Sequence, residues 1–216
     1  MKKAVIFDLD GTLLNTLGDL ASSVNFALRE CGYPERTVDE VRSFIGNGVV
    51  VLMHRSVPAG TNEADEKRCF EVFRKRYLEH MEDTTAPYGG VNGLIFELSR
   101  LGIQTAVVSN KLDAGVKGLC KKYFPHLTCA FGVNDESERK PSPANVFKAL
   151  SKLGVQKEDA LYVGDSDVDV QTAKNAGLEM VGVTWGYRSR ESLIACGASL
   201  CLLIESKNNF ALLSVF

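Results

Sequence analysis

The chain has 216 residues, 45% of them hydrophobic and 24% charged, with a formal net charge of −2. That length supports one sizeable core plus a small second domain, and the near-balanced charge leaves no basic footprint for a nucleic acid. No stretch approaches the roughly 18 apolar residues a membrane span needs. The apolar run behind Met1-Lys2-Lys3 ends at Asp8, too soon for a secretory leader. Six cysteines (Cys31, Cys69, Cys120, Cys129, Cys196 and Cys201) contain no C-x-x-C pair and read as buried free thiols of a reducing compartment. The expectation is a cytoplasmic monomer or homodimer with no nucleic-acid and no membrane partner.

The chain opens on Val5-Ile6-Phe7-Asp8-Leu9-Asp10-Gly11-Thr12-Leu13. Its uncharged β-branched and aromatic start suits a strand buried on both faces of a parallel sheet. Two carboxylates and a glycine then fall at the strand's carboxyl end, where open α/β sheets bind ligands. Leu20, Val24, Ala27, Leu28 and Cys31 follow at helical spacing until Gly32 and Pro34. Thr37 and Glu40 form a capping box for a second helix carrying Val41, Phe44 and Ile45. Gly46-Asn47-Gly48 interrupts it, Val49 to Met53 restarts a helix, and a longer one carries Cys69, Phe70, Phe73 and Tyr77.

From Tyr88 strands alternate with helices. Leu94, Ile95, Leu98 and Leu101 make a helical stripe, and Ile103 to Val108 is a buried strand ending at Ser109-Asn110-Lys111. A helix through Val116, Leu119, Cys120 and Tyr123 leads to a strand near Cys129 to Val133. Ser142 and Pro143 read as N-cap and first-turn proline of a helix that stops at Gly154. Ala160 to Val163 and Met180 to Val183 are further strands around a helix closed by Gly177, and a last strand near Ser199 to Leu203 precedes a short C-terminal helix. The predicted fold is α/β: a parallel-sheet, Rossmann-like core with helices on both faces and an inserted all-helical cap domain. Residues 1–15 plus 83–216 form the core, and 16–82 the cap.

Polar residues mark several strand-to-loop junctions: Asp8 and Asp10, Ser109 and Asn110, Lys140 before a proline, and Asp165 with Asp169. A parallel sheet gathers such junctions on one edge. Four carboxylates with one lysine need another positive charge, and an oxygen-only ligand set suits Mg²⁺. Three histidines without Cys/His spacing argue against zinc. A Walker A loop and a dinucleotide glycine pattern are both absent from the sequence.

Asp8-Leu9-Asp10-Gly11-Thr12, Ser109 after an apolar strand, Lys140-Pro141 and Gly164-Asp165-Ser166-x-x-Asp169 resemble, in order, the four motifs of the haloacid dehalogenase superfamily. Ile45-Gly46-Asn47-Gly48, Asn110-Lys111 and Thr184-Trp185-Gly186-Tyr187 look most like the phosphoglycolate phosphatases within it. Asn15 stands where many relatives carry an Asp, a departure at the hinge. The resemblance implies an Mg²⁺-dependent phosphatase of a small phosphorylated metabolite, with 2-phosphoglycolate as the first candidate. Asp8 would be the nucleophile that becomes phosphorylated, and Asp10 the general acid and base. Asp8, the backbone carbonyl of Asp10 and Asp165 would hold the metal. Ser109, the Asn110 amide and Lys140 would bind the phosphoryl group, with Asp169 orienting metal waters or Lys140. In the cap, the Gly46-Asn47-Gly48 break and Arg42 would set specificity. A β-phosphoglucomutase-like sugar-phosphate mutase and a pyrophosphatase share these motifs. A receiver-like phosphoacceptor domain is disfavoured by the helical insertion.

Overall fold

The structure is a computed structural model, and it describes residues 2–202. In chain order the elements begin with β1 (Ala4–Phe7), β2 (Leu14–Asn15), α1 (Leu17–Glu30), α2 (Val38–Phe44), α3 (Val49–Ser56), α4 (Glu63–His80) and β3 (Ala86–Pro87). They continue with α5 (Val91–Arg100), β4 (Gln104–Leu112), α6 (Asp113–Tyr123), β5 (Cys129–Val133), α7 (Ala144–Leu153) and β6 (Ala160–Gly164). The last are α8 (Asp167–Ala176), β7 (Glu179–Val183), α9 (Arg190–Cys196) and β8 (Leu200–Leu202). By contact the chain divides into Met1–Leu14 with Pro87–Phe216, and Asn15–Ala86.

In the first unit, six parallel strands run in the order β5-β4-β1-β6-β7-β8. Every residue of β1 is buried, and its alternation sorts side chains onto two faces. Val5 and Phe7 join Val91, Leu94, Ile95 and Leu98 of α5 and Val116 and Leu119 of α6. Ala4 and Ile6 face Val146, Ala149 and Leu150 of α7 and Val170, Ala173 and Ala176 of α8. Helices therefore cover both faces, which is why the strands read as continuous apolar runs. Burying each large aliphatic side chain contributes roughly 1.5–3 kcal/mol before entropy is counted. Because β1 lies between β4 and β6, the loops after these three strands open side by side.

Several sequence expectations shift. β4 continues beyond Val108 to Leu112, with its register to β5 displaced between Val108 and Leu112. Ser109 and Asn110 therefore lie in an irregular strand end; the backbone turns there as the Lys111 N–H donates to Ser109 Oγ at 3.2 Å. Pro143 is the N-cap residue of α7, so the helix starts one residue later than the Ser142 reading. Leu101 is 53% exposed because α5 ends at Arg100 and carries it past the apolar stripe. The seven-residue α9 was not anticipated, since it buries Leu193 alone and shows no periodic pattern. The predicted C-terminal helix, and Leu203 of the last strand, lie outside the described residues.

The second unit is helical. α1, α2, α3 and α4 pack through Val24, Ala27, Leu28, Val41, Leu52, Met53, Cys69, Phe73 and Tyr77, all buried. The Thr37–Glu40 capping box starts α2, and Phe73 and Tyr77 stack at 5.4 Å, one turn apart on α4. Asp19 of α1 is buried, and its carboxylate accepts hydrogen bonds from the backbone N–H and hydroxyl of both Thr84 and Thr85 at 2.5–2.9 Å. Those bonds tie Thr84 and Thr85 to α1, and the division by contact runs between Ala86 and Pro87. β2 and β3 pair with each other as a separate two-stranded sheet.

Candidate active site

Asp8 follows β1 directly, and its N–H donates to the Val163 carbonyl of β6 at 2.8 Å. The chain then turns tightly: the Leu13 and Leu14 N–H groups both donate to the Leu9 carbonyl at 2.9 Å. Gly11 has φ +92°, and a Cβ there would run into the Asp165 carboxylate and the Tyr187 ring. Glycine at this position is thus demanded twice, by conformation and by close approach. Thr12, next along, donates its hydroxyl to Asp165 Oδ1 at 3.1 Å, while its carbonyl accepts from Trp185 Nε1 at 3.0 Å. The Tyr187 N–H completes the setting of Asp165, donating to Oδ2 at 2.7 Å.

Lys140 is the hub. Its Nζ lies 2.6 Å from Asp8 Oδ1 and 2.7 Å from Asp169 Oδ1. Asn110 clamps the Lys140 backbone from both sides, accepting from its N–H at 2.7 Å and donating to its carbonyl at 3.3 Å. Asp169 sits at the third position of α8, where its Oδ2 accepts from the Ser166 N–H and hydroxyl and closes a capping box. Tyr162 donates its hydroxyl to Asp169 Oδ1 at 3.1 Å. On the other side of the site, the Asp10 carboxylate lies between Ser109 Oγ at 3.5 Å and Lys111 Nζ at 3.3 Å.

The structure thus brings Asp8, Asp10, Ser109, Asn110, Lys140, Asp165 and Asp169 into one cluster. It adds Lys111, so the charge balance is four carboxylates to two ammonium groups, correcting the single lysine expected from sequence. Lys111 was visible only as part of an Asn-Lys pair, and nothing in a linear pattern aims its side chain at Asp10. Thr12, Tyr162, Ser166 and the Tyr187 N–H were missed as supports; the Ser166-x-x-Asp169 spacing of a capping box was the one local signal for any of them. Arg42, Gly46, Asn47 and Gly48 form their own group in the helical unit. Gly46 and Gly48 have φ of 132° and 86°, and Gly48 caps α3 without a side-chain bond. Arg42 lies 3.8 Å from Asp39, and Arg55 donates to the Phe44 carbonyl at 3.1 Å and to Asn47 Oδ1 at 3.4 Å.

Electrostatics show what the cluster needs. Burial, reinforced by Asp169 and to a lesser degree Asp10, pushes the Asp8 carboxyl up to about 7 despite the opposing pull of Lys140. Burial and the charges of Asp169 and Asp8 likewise hold Asp165 well above the usual carboxylate range. For Lys140 burial would lower the pKa, but Asp169 and Asp8 outweigh it and the ammonium stays charged. Asp8, Asp165 and Asp169 offer oxygens within 4.8 Å of one another, all buried. Hard oxygen donors short of positive charge fit a divalent cation of the Mg²⁺ type. Asp169 is already committed to Lys140, Ser166 and Tyr162, which leaves Asp8 and Asp165 as the freer carboxylates.

An acid pair thus follows a central strand of the parallel sheet and faces a buried lysine and a third acid at the end of the neighbouring strand β6. Residues 5–183 match the family described as haloacid dehalogenase-like hydrolases, and the chain belongs to that family. It is 36% identical over 198 residues to a phosphoglycolate phosphatase of Aquifex aeolicus, covering 89% of each protein. Identity is 34% over 194 residues to a phosphoglycolate phosphatase of Pseudomonas syringae pv. tomato, covering 87% of this chain and 71% of that protein. A crystal structure from Lactobacillus delbrueckii subsp. bulgaricus, assigned as a phosphoglycolate phosphatase, superposes with a TM-score of 0.89 at 33% identity, covering 94% of this chain and 95% of that one.

Proposed function

We propose that the chain is a phosphatase that hydrolyses a small phosphomonoester through a phosphoaspartate on Asp8, with 2-phosphoglycolate as the first substrate to test. The observation that carries the reading is the buried Asp8 carboxylate gripped by Lys140 beside Asp165 and Asp169. Asp8 Oδ2, the oxygen not bonded to Lys140, attacks phosphorus in line, and the bond from phosphorus to the ester oxygen breaks. Asp10 gives its proton to the departing alkoxide and then takes one from the water that attacks the phosphoaspartate, releasing inorganic phosphate. Ser109, the Asn110 amide and Lys140 hold the phosphoryl oxygens and neutralise charge as it develops. Asp8, the Asp10 carbonyl and Asp165 would hold Mg²⁺, which when bound neutralises phosphoryl charge and keeps Asp8 ionised.

The helical unit supplies the substrate choice in this reading, acting as a cap through Arg42 and the Gly46-Asn47-Gly48 break. Among the described residues no helix is long and apolar enough to cross a membrane. With the described cysteines all free, a cytoplasmic monomer or homodimer is the proposed state. The relatives' names support phosphoglycolate over a sugar-phosphate mutase. Asp8→Asn keeps the shape of the side chain and removes the nucleophile. It should lower phosphate release by at least about 10³-fold while leaving the far-ultraviolet circular dichroism unchanged. Turnover within tenfold of wild type would refute the mechanism.

A further inference from the structure

We propose that Gly186 is a positioning residue for the metal site, fixing where the Asp165 carboxylate points and so favouring a small octahedral cation such as Mg²⁺. The inference rests on the reading of Asp165 as a metal ligand. It gives a role to the Thr184-Trp185-Gly186-Tyr187 stretch, whose side chains take no part in the proposed hydrolysis steps.

Contact with Asp165 explains why the position holds glycine. A Cβ on Gly186 would stand 2.3 Å from Asp165 Oδ2, 2.4 Å from its Cβ and 2.5 Å from its Cγ. Gly11 also presses on Asp165, but its φ of +92° would demand glycine in any case. Gly186 is not among the glycines of positive φ, so only space forbids a side chain there. Because the collision reaches the Cβ and Cγ of Asp165, turning the carboxylate about its last bond does not relieve it. Either the loop retreats or the whole side chain moves.

The loop is held too firmly to retreat. Before Gly186, Trp185 Nε1 donates to the Thr12 carbonyl at 3.0 Å, and the Thr184 N–H and hydroxyl donate to the Leu202 carbonyl at 3.1 and 3.0 Å. After it, the Tyr187 N–H donates to Asp165 Oδ2 at 2.7 Å, and Arg188 pairs with Asp167 at 3.1 Å. Asp165 is itself wholly buried, with Oδ1 accepting from the Thr12 hydroxyl. A methyl group added at 186 therefore displaces the carboxylate.

Cations differ in how far they tolerate such a displacement. Mg²⁺ demands near-ideal octahedral geometry at about 2.0–2.1 Å, whereas Ca²⁺ accepts flexible arrangements at about 2.3–2.6 Å. A carboxylate fixed by a hydrogen bond on each oxygen and by a glycine in close contact suits the stricter ion. Moving that carboxylate penalises Mg²⁺ more than Ca²⁺, which a general loss of stability would not do.

The test titrates wild type and G186A with magnesium chloride and with calcium chloride. Binding is read from the Tm and from the emission of Trp185, the only tryptophan in the chain. The expected result in G186A is a loss of Mg²⁺ affinity of at least about tenfold, larger than the loss for Ca²⁺. A smaller loss for Mg²⁺, or losses alike for both ions, would overturn the proposal while leaving the metal site in place. Wild type that binds neither ion would overturn the metal reading, and the proposal with it. If G186A fails to fold, D165G and the double variant D165G/G186A decide. Equal Tm in those two would support residue 186 acting through the Asp165 side chain, and a double variant less stable than D165G would overturn it.

Discussion

Lys140 Nζ stands 2.7 Å from Asp169 Oδ1, and the second oxygen of that carboxylate is pinned by the Ser166 N–H and hydroxyl. The lysine that grips Asp8 is thus aimed by the first turn of α8. Asp169→Ala should leave Lys140 half-compensated and free to tilt. Removing one partner of a buried pair costs about 3–5 kcal/mol, which urea unfolding would register. Turnover should drop by roughly 10–100-fold, mainly in kcat, since in the proposed mechanism Asp169 positions Lys140 and does not itself hold the phosphoryl group.

The metal-free protein should be more stable in mild acid than at neutral pH. Folded Asp8 titrates near 7 against an ordinary value of 3.8, so between those values the folded state holds a proton that the unfolded chain has lost. Stability from this group is complete below about 3.8 and is lost as pH rises to about 7, on the order of a few kcal/mol. Asp165 is shifted in the same direction. A divalent cation must displace that proton, so the rise in Tm given by millimolar Mg²⁺ should grow from pH 6 to pH 8. A pH-independent increment would count against metal binding at these carboxylates.

Asp19→Ala should destabilise the helical unit by roughly 2–4 kcal/mol, because it removes the carboxylate that accepts from the N–H and hydroxyl of Thr84 and of Thr85. Asp19→Asn should recover part of that loss. Denaturant unfolding followed by hydrogen exchange at residues 84 and 85 would show the end of the insertion released first.

Gly11→Ala combines a forbidden φ of +92° with a collision against Asp165 and Tyr187. A loss above about 3 kcal/mol is expected, together with turnover reduced by at least about 100-fold. Thermal unfolding and phosphate release measure the two effects separately. Gly102, with φ +75° but open space around it, should accept alanine at a cost of only about 1 kcal/mol.

Much of this was readable in advance because it depends on local rules. β1 is a run of apolar residues ending in acids, the Thr37–Glu40 box starts a helix, and Gly154 and Gly177 end theirs in the left-handed conformation. The acids' convergence followed from topology once the sheet was taken as parallel. What escaped the sequence was set by tertiary contact. Lys111 is drawn to Asp10 across the strand ends, Tyr162 reaches Asp169 from within a strand, and Thr84 and Thr85 belong to the helices because Asp19 lies across from them. The Tyr187 N–H bonding Asp165 is a backbone act, indifferent to the side chain that marks it. α9 was lost for want of amphipathic length.

Phe7 is flanked in the sheet by Val107 on one side and Val163 on the other, partners contributed by distant parts of the chain. No local hairpin can assemble such a centre, and parallel pairings across long loops form slowly. Recovered turnover after dilution from denaturant therefore reports the arrival of the most remote partners, and will trail the return of helical signal. Asp8, the residue next along from Phe7, sits where activity acts as a timestamp on its own protein's assembly.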